Sequence, residues 1–198
     1  MIQEVIPQQN FELVRDAIGA ILKTEIESQK LKNTLLTEEI SVFIERTTPI
    51  ANSEEIVINV SLTSCDYDQK TQKDSQGKTF YTIDIYSHGQ ASSGIAGWMD
   101  SARKLHRYLG LTRYILQHTM YKTLSFPPGF IGGCALENFV IMDNQFKEDS
   151  DFSKLASVSF SVRINESQSL EEGINLKEIF TMVKLDLTDL GYIYNKIN

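Results

Sequence analysis

The chain reads as an α+β protein: an antiparallel β-sheet with a long hairpin, and helices packed on one face. Three observations predict this. Apolar residues recur at spacings of three and four in an early stretch and again after Trp98, as on one face of a helix. Elsewhere apolar and polar residues alternate, as in strands with one buried face. The segments run helix, strand, hairpin, long helix, two strands and an extension, an order that suits helices laid over one sheet. The 198 residues divide into a domain over 1–168 and a C-terminal extension over 169–198.

Pro7 ends a short arm, and Asn10 is placed to cap the first helix. Phe11, Val14, Ile18, Ile21, Leu22 and Ile26 form its apolar stripe; Gly19, inside it, implies a close packing contact. Residues 38–46, "EEISVFIER", are β-branched and aromatic and read as a strand, with a turn at Pro49 and Asn52-Ser53. In "EIVINVSLTS", Ile56, Ile58, Val60 and Leu62 point one way; in "TFYTIDIYS", Tyr81, Ile83 and Ile85 do. These two runs are the hairpin arms, and residues 66–79 between them are polar and read as a long loop.

Trp98, Ala102, Leu105 and Leu109 begin the second helical region, and "LTRYILQHTMYK" continues it. Gly110 predicts either one helix with a break or two helices in line, stopped by Pro127 and Pro128. "GFIGG" is a loop, "ALENFVIMD" a strand, and "LASVSFSVRINE" a strand with Val158, Phe160, Val162 and Ile164 inward. Within the extension, "INLKEIFTMVKLDL" fits a helix, or a strand over 180–187.

Hydrophobic residues at 41% and charged ones at 23% are ordinary for a globular chain. A net charge of -7 disfavours sequence-independent nucleic-acid binding and favours a wall that repels DNA. The two cysteines, Cys65 and Cys134, match neither a disulfide framework nor a zinc site and read as free thiols in a reducing cytosol. No leader is read at the N-terminus, and no apolar run approaches the roughly 18 residues of a membrane span, so no membrane association is expected.

A search for chemistry finds little. His106 and His118 lack the spacing of a helical metal pair, and neither cysteine has a histidine or a Gly-rich elbow beside it. "PPGFIGG" lacks the Lys-Ser/Thr ending of a phosphate loop. The acidic pairs read as solvated loop ends. No catalytic residue, metal or cofactor is assigned. Arg103, Lys104, Arg107, Arg113 and Lys122, interleaved with tyrosines, fit a nucleic-acid face or a solvated helical face. The hairpin loop carries Asp66, Asp68, Lys70, Lys73, Asp74 and Lys78, and these are the candidate oligomer or partner contacts, through edge pairing or ordering of the loop on contact. A merely exposed loop is the plainer reading.

The segments "NFELVRDAIGAIL", "IVINVSLTS" with "TFYTIDIYS", "ARKLHRYLGLTRYIL" and "SVSFSVRINESQS", in that order, resemble the tail-terminator and neck proteins of long-tailed bacteriophages. The likeness covers residues 10–168 and rests on order and pattern; the extension over 169–198 departs from the minimal domain. It implies a structural virion protein, made in the host cytoplasm: a homo-oligomeric, usually hexameric ring at the head–tail joint. Such a ring contacts itself, the tail tube protein and a head-side connector, and lets DNA pass without specific binding. The alternatives are an enzyme or small-ligand binder with a site near His88, Trp98 and the loop from Gly129 to Gly133, and a non-viral adaptor that binds one partner through the hairpin.

Overall fold

In the computed structural model, residues 8–48, 50, 53–67, 76–92, 95–143 and 152–165 are described. Their elements are α1 (Asn10–Lys32), β1 (Ile40–Ile44), β2 (Ile56–Tyr67), β3 (Gln76–His88), α2 (Gly97–Gln117), β4 (Ile131–Asp143) and β5 (Ser153–Asn165), with a single 3-10 turn at Thr119–Tyr121. The five strands form one sheet in the order β1-β2-β3-β5-β4. β1 runs parallel to β2; the other three pairings are antiparallel. Two helices lie against this mostly antiparallel sheet, an α+β fold. The extension over 169–198 lies outside the described residues.

Period-two patterning decides which face is covered. Ile56, Ile58 and Val60 of β2, Tyr81, Ile83 and Ile85 of β3, and Val158, Phe160, Val162 and Ile164 of β5 are all buried in one core. That core also takes Val14, Ile18, Leu22 and Ile26 from α1 and Leu105, Tyr108, Ile115 and Leu116 from α2. Each such side chain contributes about 1.5–3 kcal/mol by leaving water, so a one-residue slip of any central strand is excluded. α1 lies over β1 and β2, and α2 lies over β3 and β5.

Two polar ties fix α1 against the sheet. Tyr81 Oη donates to the Phe11 carbonyl at 2.8 Å, and Asn10 Nδ2 donates to the Asn165 carbonyl at 3.2 Å. Asn10 is therefore the first helical residue and not the cap. Gln9 is the cap residue, and its amide donates to the Glu12 carboxylate at 3.0 Å. At Gly19 a Cβ would stand 3.1 Å from the Ile44 side chain, the close contact that its place in the helix implied.

α2 corrects the sequence reading. It runs unbroken through Gly110, whose missing side chain faces open space, and it ends at Gln117, well before the prolines. A glycine in an exposed helical turn costs stability but does not end a helix whose other face is buried. The "GFIGG" loop is also shorter than expected, since β4 begins at Ile131. Gly133, at φ 147°, takes the bulge between Ile131 and Gly133 that a side chain would strain.

Candidate functional site

The hairpin is better supported than its sequence suggests. β2 and β3 pair to Tyr67 opposite Gly77, so Asp66 and Lys78 sit opposite one another in the paired arms and not in the loop. Polar residues can build these arms because β5 supports them: β3 pairs with β5 along its length, from Gln76–Asn165 to His88–Ser153. Gly77 lets Cys65 and Tyr67 close over it; a Cβ there would meet the Cys65 sulfur at 2.9 Å. Asp68, Lys70, Lys73 and Asp74 lie outside the described residues.

Lys78 reaches across β5. Its Nζ is 2.7 Å from Glu137 Oε1 on β4 and lies 4.9 Å from the centre of the Phe80 ring. Ser161 Oγ donates to the same Glu137 oxygen at 2.6 Å. Hydrogen bonds from Lys78 and then Ser161 hold the Glu137 carboxyl below the ordinary glutamate range. This network, open to water at Lys78 and Glu137 and buried at Ser161, spans three strands of the face that the helices leave bare.

The basic run on α2 is divided by its helical phase. Lys104 is only 8% exposed, and its Nζ donates to Glu55 at 3.1 Å and lies 3.0 Å from Asp100. Arg107 Nη1 donates to Glu38 Oε1 at 2.9 Å and to the Leu35 carbonyl at 2.8 Å. Tyr108 Oη donates to Glu38 Oε2 at 2.9 Å. Burial, then the Glu38 bond, pushes the Tyr108 phenol well above its ordinary value. Burial alone would raise the Glu55 carboxyl, but the Glu39 amide and the Lys104 ammonium outweigh it and the net shift is downward. Lys104 and Arg107 thus bind α2 to the loops before β1 and β2. Arg103 and Arg113 remain exposed on the helix.

The other sequence candidates do not converge. His88 closes β3 at the end where β5 begins, while Gly133 lies on β4 opposite Arg163, near the far end of β5. Some eleven strand residues, on the order of 35 Å, separate the two ends. His118 Nδ1 accepts from the Met120 amide at 3.3 Å and caps the 3-10 turn. Burial raises the Cys134 thiol above its ordinary value. Among the described residues, no three His, Cys, Asp or Glu side chains are grouped as metal ligands would be, and no helix is long and apolar enough to cross a membrane.

One surface was missed from sequence. Trp98 and Met99 on the first turn of α2 are 58% and 43% exposed, and Phe139, Val140, Ile141 and Met142 on β4 are 44%, 52%, 40% and 45% exposed. Both groups sit at one end of the sheet, where Ser87 Oγ donates to the Ser101 carbonyl and Met142 pairs opposite Leu155. A signal existed: four consecutive apolar residues in a strand of a sheet covered on one side put apolar side chains on both faces. No protein-family model matches the chain, and no curated protein matches it.

Proposed function

We propose that the protein is a structural subunit of an oligomeric ring at the head–tail joint of a long-tailed phage, contacting itself, the tail tube protein and a head-side connector, with DNA passing through. The bare face of the sheet carries this reading. Ser61, Thr63, Thr82, Ser157 and Ser159 line its middle with short hydroxyl side chains, and the Thr63 and Thr82 hydroxyls meet at 2.6 Å. Asp84 stands among them, and Lys78 and Glu137 neutralise one another. The middle of this face, short hydroxyls with the carboxylate of Asp84, offers a polyanion little to hold in a chain of net charge -7, while the exposed Arg163 stands toward one end of β5. The division of the α2 basic run supports the same reading, since two of its cations are spent inside the subunit.

In this arrangement the bare face lines the passage, the helices stand outside, and the residues between Tyr67 and Gln76 contact a neighbouring subunit or the tube. Cyclic head-to-tail contacts close such a ring. The test is light scattering and electron microscopy of the purified protein, alone and with tube protein. The expected result is a closed ring. Replacing residues 68–76 by Asn-Gly, which joins Tyr67 to its partner Gly77 through a two-residue turn, should keep the fold and weaken ring or tube association. A monomer that ignores the tube, or unaltered assembly of the shortened hairpin, would refute the respective part.

A further inference from the structure

β4 is the terminal strand of the sheet among the described residues, and its second half is apolar on both sides. Phe139 and Ile141 stand on the helix side, opposite Val158 and Ala156 of β5; Val140 and Met142 stand on the bare side, opposite Ser157 and Leu155. Together with Trp98 and Met99 they leave large apolar side chains in water on both flanks of this edge, more than singly scattered exposed residues. The backbone of the outer edge is meanwhile set out as a strand with only one neighbour.

The chain itself carries a segment that fits. β5 ends at Asn165, and Ile164 pairs with Ile131, so the polypeptide leaves the sheet one strand away from this edge. Residues 166–198 follow and lie outside the described residues. Within them, "FTMVKLDL" over 180–187 alternates: Val183, Leu185 and Leu187 fall on one side, and Phe180 and Met182 fall on the other with Lys184 and Asp186. Such a strand has an apolar flank for each apolar flank of β4, with its charges toward one end. Residues 166–179 reach about 45 Å when extended, enough to arrive anywhere along β4. A tether this short gives an effective concentration in the millimolar range, which favours the molecule's own segment over a neighbour's.

We propose that residues 180–187 pair with the outer edge of β4 in the same molecule and cover Phe139–Met142. Part of the extension is then the strand that completes the sheet. The pairing does not depend on ring formation.

Hydrogen exchange on the full-length protein tests it. Some amides of residues 139–142 are left free by the β5 ladder. These should exchange about 100-fold more slowly than open-chain amides, with the same protection after a large dilution. In the double variant Val183→Asp, Leu185→Asp they should exchange at open rates, while the amides of Tyr81–Ile85 stay protected and report an intact core. Open rates in the unaltered protein would overturn the proposal. So would protection that survives the double variant, and so would protection that falls on dilution, because a neighbouring molecule would then supply the strand. If the variant fails to fold, the unaltered protein at two concentrations still decides.

Discussion

Replacing Lys104 by Met isolates what the buried cation does. Methionine keeps the apolar stem packed and removes only the charge. Glu55 and Asp100 then face one another with no cation between them. Breaking a buried pair costs about 3–5 kcal/mol, and an exposed pair is worth about 0.2–1 kcal/mol. Lys104 is buried, while the Glu55 and Asp100 side chains keep 29% and 22% of their exposure. A loss of about 2 kcal/mol is expected, or about 4–8 °C in Tm for a chain of this size. The loss should depend on pH. Glu55 and Asp100 are held below their ordinary values of 4.5 and 3.8, against burial that opposes this, so their contribution is present above those values and fades as pH falls through the lowered ones. Lys104 is raised above 10.5, its carboxylate partners outweighing its burial, so its contribution is present below 10.5 and fades as pH rises through the raised value. The two proteins should therefore differ most near neutrality and converge at both extremes. Thermal unfolding followed by circular dichroism over a pH series measures this. A deficit that is the same at acid and neutral pH, or a Tm change below about 1 °C, would refute the reasoning.

Glycines give opposite signs on one helix. A Cβ at Gly97 would lie 2.1 Å from the Phe152 ring, so Gly97→Ala should cost about 1–3 kcal/mol in urea unfolding. At Gly110 nothing lies within 4 Å, so Gly110→Ala should stabilise by about 0.5–1 kcal/mol. Tyr108→Phe leaves one oxygen of the buried Glu38 carboxylate without its phenol donor and should cost about 1–2 kcal/mol, seen as a lower urea midpoint at an unchanged slope. In the intact protein, ultraviolet titration should show Tyr108 still protonated at a pH where exposed tyrosines have ionised, since burial and Glu38 raise it. Phe160→Ala, at the centre of β5, should cost about 3–5 kcal/mol by equilibrium unfolding.

The α+β class and the inward sets of β2, β3 and β5 were legible in the sequence, because local periodicity is dictated by which face of an element meets the core. Ile83 and Val158 alternate with polar neighbours, and a one-residue slip would turn them out of the core. The course of α2 through Gly110 was not legible, since one residue's propensity is outweighed by the packing of Leu105, Tyr108 and Ile115 on the sheet. Nor was the fate of the polar run after Ser64, whose pairing depends on β5, a strand far away in the chain. Composition could count the cations of α2 but could not tell Lys104, turned onto Glu55, from Arg103, turned to water. Sequence determines what each element can bury. Only the tertiary arrangement decides which edges, faces and charges are left over, because these are set by contacts between segments that no local pattern encodes.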